Sequence, residues 1–91
     1  MIGAAQIRAA RALLGIRQLE LSKIADVGIS TVKRLELAGE ISGSAGTLWK
    51  LQTALEKAGV VFIPADEHMG PGVRLKDRPG IQPKRRRRRG G

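Results

Sequence analysis

The stretch DVGISTVKRLE, residues 26–36, ends one helical pattern and begins another. Apolar residues run at helix spacing through Leu21, Ile24 and Ala25, then resume at Val32 and Leu35. Between them stand Asp26 and Gly28, both poor in a helix interior. Asp tolerates left-handed backbone better than most residues. Val27 offers a small apolar side chain to point inward, and Gly28 is acceptable as an N-cap. The stretch therefore predicts a sharp turn joining two short helices, about 18–25 and 29–38, with the second laid across the first. On a wheel of about 100° per residue, Val32 and Leu35 define the core side and Ile29 flanks it. Ser30, Lys33, Arg34 and Leu37 fall on the opposite face.

Working outward, Ile7, Ala10 and Leu14 mark an earlier helix over about 4–14, which Gly15 ends. A loop, GEISGSAG, follows the Gly39 end of the third helix. Leu48, Leu51, Leu55 and Ala58 then form the apolar stripe of a fourth helix over about 45–58, with Ser44 as its N-cap and Gly59 closing it. VVFIP (60–64) reads as a strand, and GVRLK (72–76) alternates Val73 and Leu75 against Arg74 and Lys76 as a half-buried strand does. ADEHMGP between them suits a hairpin loop. From Arg78 onward there is nothing to bury, so disorder is expected. The expected organisation is one mainly α domain over 1–77, four helices and a short β-hairpin, with an Arg-rich tail over 78–91.

Ninety-one residues allow one small domain. The absence of cysteine excludes disulfides and thiolate metal sites. No apolar run approaches the roughly 18 residues of a membrane span. The first residues carry Arg8 and Arg11 inside their apolar pattern, unlike a signal peptide. The expected location is the cytoplasm, with no membrane partner. The net charge of +9 is uneven: residues 1–83 hold 11 basic and 8 acidic side chains, and Lys84–Arg89 add six positive charges. A basic excess suggests a polyanionic partner without naming it. GSAG lacks the following Lys-Ser/Thr of a phosphate-binding loop, and His68 has no second ligand at metal spacing. Asp66 and Glu67 sit adjacent in one loop with no sign of paired acid–base work. We expect no enzyme, no cofactor and no metal.

The outward face of the third helix has a chemistry that suits DNA. The major groove, about 12 Å wide, admits one helix, and Arg is the commonest reader of guanine there. The stretch QLELSKIADVGISTVKRLE resembles the lambda-repressor-like, or XRE, helix-turn-helix family. The resemblance rests on Gln18, Leu21-Ser22, Ala25, Val27, Ser30-Thr31, Val32 and Leu35-Glu36, in that order. QIRAARALLG before it, GTLWKLQTALEKAGVVFI after it and GPGVRLK are similar to small bacterial regulators of that family, so the likeness spans about 4–76. The chain departs from the pattern at Asp26, where Gly is usual, at Gly28, where Ser or Thr is commoner, and in a longer LELAG end.

The resemblance implies a sequence-specific transcriptional regulator, a repressor or autoregulator, with the third helix in the major groove. It implies a phosphate or base contact for Gln18, base reading by Ile29, Ser30 and Arg34, and a structural ion pair between Arg11 and Glu36. Bland readings stand beside these. Lys33, like Arg34, fits either groove reading or a solvated face, Ser30 and Thr31 fit either base or phosphate contact or a first turn satisfying its own backbone, and Ile29 also fits a core edge. Thr47 and Lys50, near the start of the fourth helix, fit either phosphate contact or plain exposure. Trp49 reads as core-edge packing or a dimer contact. The tail Lys84, Arg85, Arg86, Arg87, Arg88 and Arg89 fits an arm adding DNA phosphate contacts, a solubilising polyanion binder, or a site for an acidic protein. One helix reads few base pairs, so a homodimer on double-stranded DNA is expected, through the strands or through Trp49. Two rivals remain: an antitoxin or anti-activator acting through a protein partner, and a non-specific nucleic-acid binder driven by the tail.

Overall fold

The computed structural model describes residues 2–37 and 45–76. The chain runs α1 (Ala4–Leu14), α2 (Gln18–Ala25), α3 (Ile29–Leu37), α4 (Ala45–Lys57), β1 (Val60–Ile63) and β2 (Gly72–Leu75). The expectations for Ser44, Gly39 and the tail lie outside the described residues, as does the extension of the third helix to residue 38. The strands stop one residue short of their expected ends, leaving Pro64 and Lys76 outside them. Pro64 has no N–H to offer a ladder.

The helix ends follow their local chemistry. At the start of α1, the Gly3 N–H donates to Gln6 Oε1 at 2.9 Å. At the start of α2, the Arg17 N–H donates to Glu20 Oε1 at 2.8 Å. In both, a side chain in the first turn satisfies a backbone donor at the helix entrance. Gly15 ends α1 at φ 71°, a left-handed value that glycine adopts without steric penalty. Its neighbour Ile16 donates to the Arg11 carbonyl. Asp26 does the same work after α2 at φ 55°, as the sole non-glycine residue with positive φ among those described. There the Val27 N–H reaches back to the Ser22 carbonyl at 3.0 Å, and Asp26 to that of Lys23 at 3.4 Å. This pair of bonds is the usual closure of a helix that stops on a left-handed residue. Gly28 then supplies the carbonyl that accepts the first two N–H bonds of α3, from Thr31 and Val32.

The core collects Ile7 and Ala10 from α1, Leu21 and Ala25 from α2, Val32 and Leu35 from α3, Leu48, Leu51 and Leu55 from α4, and Val60 from β1. Val27, in the turn, packs against this cluster. α2 packs on both α3 and α4, while α1 bridges α3 and the hairpin. β1 and β2 form an antiparallel pair in the register Val60↔Leu75 to Ile63↔Gly72. One polar side chain ties this hairpin to the helices. Gln6 is buried and donates through Nε2 to the carbonyls of Gly72 (3.0 Å) and Ile63 (3.5 Å).

Three expectations about apolar residues are corrected. Ile24, placed on the inner stripe of α2 by its spacing, is 53% exposed. With eight residues, α2 buries only Leu21, Ser22 and Ala25, and Ile24 lies beside that stripe. Ala58 falls in the turn after α4 and is exposed. Trp49 does not pack at the core edge: it is 65% exposed. No helix among the described residues is long and apolar enough to cross a membrane.

Candidate nucleic-acid interface

α3 holds a single acidic residue, Glu36, and the fold takes it off the surface. The Glu36 side chain is 3% exposed and its carboxylate is gripped from two other helices. Arg11 of α1 donates through Nε to Glu36 Oε2 and through Nη2 to Oε1, each at 2.8 Å. That two-pronged geometry is the strong form of an Arg–carboxylate pair. The hydrogen bond to Glu36 raises the Arg11 pKa, against an opposing burial effect. Gln18, the first residue of α2, adds a third donor, Nε2 to Oε1 at 3.1 Å. Arg8 donates through Nη1 to the Glu36 main-chain carbonyl. A cation at the carbonyl end of a helix also meets the favourable end of its dipole.

With Glu36 withdrawn, the exposed face of α3 presents Ser30, Lys33, Arg34 and Leu37. This is the face that the 100° wheel places outward. Val32 and Leu35 are at most 1% exposed beneath it. Among the described residues, neither Lys33 nor Arg34 has a carboxylate oxygen within 4.0 Å. Ile29 and Thr31 are half-buried at the helix start. At nine residues, α3 is about 14 Å long, a length on the scale of the DNA major groove.

The remaining candidates stand at the two ends of this face. Lys50, on α4, lies beside the turn that precedes α3: its Nζ is 3.5 Å from the Asp26 carbonyl oxygen and 4.0 Å from Oδ2. Both partners are well exposed, so this contact adds little stability. Thr47 is half-buried, one turn earlier on the same helix. Gln18 is drawn into the Glu36 network at the far end, half-buried, so its amide serves the joint between α1, α2 and α3. The tail residues Lys84–Arg89 lie outside the described residues.

Two features of this region escape the sequence pattern. One is Arg8, which spacing alone marks as a solvated position on α1. Its contact to α3 is 28 residues away in the chain, and no local signal announces it. The other is an apolar groove of about 200 Å³ between α2 and α4, lined by Ile24, Trp49, Thr53 and Ala54 and flanked by Lys50 and Lys57. In the hairpin loop, Asp66 Oδ1 accepts the N–H groups of His68 (2.8 Å) and Met69 (2.7 Å), which hold its carboxyl below the usual range. Among the described residues, no group of three or more His, Cys, Asp or Glu side chains is placed to hold a metal ion. No protein-family model matches the chain, and no curated protein matches it significantly.

Proposed function

We propose that this chain is a sequence-specific DNA-binding regulator of the lambda-repressor-like, or XRE, type, a repressor or autoregulator. In this reading α2 and α3 are its helix-turn-helix. α3 enters the major groove of double-stranded DNA, and α2 crosses the phosphate backbone. Arg34 reads a guanine edge, and Ser30 contacts a base or phosphate near the helix start. Lys33 and Lys50 supply charge to phosphates, and Ile29 packs against a thymine methyl from the edge of the face. Thr31 and Thr47 complete the rim at the starts of α3 and α4. Gln18 acts first as a structural link to Glu36, and any phosphate contact uses its second amide hydrogen. Lys84–Arg89 add phosphate contacts that carry no sequence information. Such a protein works in the cytoplasm, where its operator is.

The observation that carries this reading is the charge arrangement of α3. Its one carboxylate is buried against Arg11, while Ser30, Lys33 and Arg34 face solvent and neither cation has a carboxylate oxygen within 4.0 Å among the described residues. A helix so arranged turns no exposed carboxylate of its own towards a polyanion. The experiment is selection from a pool of randomised duplexes by the full chain. The reading requires enrichment of a short motif, two-part if the bound form is a dimer. A pool that stays random after repeated rounds would refute it.

A second reading has its own observation. Trp49 and Ile24 are exposed side by side, next to Lys50 and Lys57. This favours a protein partner with an apolar anchor in an acidic setting, as an antitoxin or anti-activator would need. Retained partner binding in Arg34→Ala, with loss in Trp49→Ser, is its signature.

A further inference from the structure

We infer that two copies of this chain associate through the outer edge of β1, strand against strand across a twofold axis. The direction of the backbone groups is fixed by one hydrogen bond. The Lys76 N–H donates to the Gly59 carbonyl at 2.8 Å, next to the Val60↔Leu75 pair. In an antiparallel ladder the bonding residues alternate. Gly59, Val61 and Ile63 therefore face β2, while Val60 and Phe62 turn their N–H and C=O groups away from it. Among the described residues these outward groups meet no other backbone partner.

The two edges of the hairpin are not alike. β2 follows Pro71 and carries Arg74, with Lys76 just beyond its end, devices that keep an edge from pairing. From Gly59 to Ala65 there is no charged side chain. On the outer face of β1, Val61 is 37% and Ile63 40% exposed. A cleft of about 510 Å³ adjoins Phe62, lined also by Ile2, Gln6, Gln52, Pro64 and Pro71.

A second copy fits this edge better than an unrelated segment because the edge is self-complementary. With Phe62 set opposite its own copy, two Phe62 residues exchange both hydrogen bonds, and each Val60 N–H meets the Pro64 carbonyl of the other copy. The same register places Val61 opposite Ile63 of the other copy, twice, on the outer face. A marginal two-stranded sheet becomes four-stranded. The DNA reading gives such a dimer a purpose, but the edge argument stands without it.

Sedimentation equilibrium of the full chain tests this. A dimer is expected, with Val61→Lys raising its Kd at least about tenfold and leaving the helical circular dichroism unchanged. Trp49→Ser should leave the dimer intact. A monomer at all concentrations, a dimer indifferent to Val61→Lys, or one broken by Trp49→Ser would overturn the inference. If Val61→Lys fails to fold, exchange of the wild-type Phe62 amide decides. Protection that rises with protein concentration supports the edge. Protection independent of concentration means that the chain covers its own strand, and sinks it. A dimer that selects no DNA sequence would leave this inference standing and remove the reading it serves.

Discussion

Glu36 and Arg34 sit two residues apart on α3, and the fold gives them opposite work. Glu36 is buried under three side-chain donors from α1 and α2, whereas Arg34 is exposed. Removing one partner of a buried, hydrogen-bonded ion pair leaves the other uncompensated. Glu36→Ala should therefore cost about 3 kcal/mol of stability, read as a lower urea midpoint with an unchanged slope. Arg34→Ala should change stability by no more than about 0.5 kcal/mol in the same titration. Similar losses in both would mean that Arg34 also holds the fold together. The turn offers a second test at this scale. Asp26 occupies left-handed backbone at φ 55°, and its ion pair with Lys50 is a loose, exposed one. Asp26→Gly relieves the conformational cost and loses little else, so it should raise stability by about 0.5 kcal/mol. A lower melting temperature in that variant would show the Lys50 contact to matter more than its geometry suggests.

At the scale of elements, the hairpin is held to the helical core by more than apolar contact. Gln6 links the start of α1 to the carbonyls of Ile63 and Gly72. Gln6→Ala removes the donor that these part-buried carbonyls share and leaves the Gly3 N–H without its side-chain acceptor, at a cost of about 1–2 kcal/mol. Amide exchange should speed up in β1 and β2 before α4; uniform acceleration across the chain would contradict a local role. Gln6 is also where sequence reading stopped. Periodicity located all six elements to within a residue or two, because Leu, Ile and Val at regular spacing mark the faces that Gly15, Asp26 and Gly59 terminate. Periodicity assigns a face, not its neighbours. It put Ile24 inward and allowed Trp49 a place at the core edge, since nothing in their spacing says which flank of α2 and α4 the fold leaves uncovered. It gave no role to Gln6 or Arg8, whose partners are 57 or more and 28 residues away. The outward set Ser30, Lys33 and Arg34 was legible, because α3 is amphipathic enough for the wheel to decide. The capture of Gln18 by Glu36 was not, because it depends on how α2 meets α3.

For the whole molecule, the charge has two parts with different consequences. Six of the nine net positive charges belong to Lys84–Arg89. Charges on a flexible or rigid segment alike release counterions from DNA, and each phosphate contact adds close to one unit to the slope of log K against log salt. Deleting residues 84–91 should lower affinity for every duplex alike and flatten that slope, while the ranking of sequences stays the same. A changed ranking would place base reading in the tail. The central claim, that the basic face of α3 reads DNA, is tested most directly by Arg34→Ala. The measurement is its equilibrium affinity for the selected duplex and for a set carrying each single base-pair change. The account predicts a loss of about 1–3 kcal/mol on the selected duplex, with discrimination vanishing at one base pair and persisting elsewhere. Wild-type affinity with full discrimination at every position would contradict it.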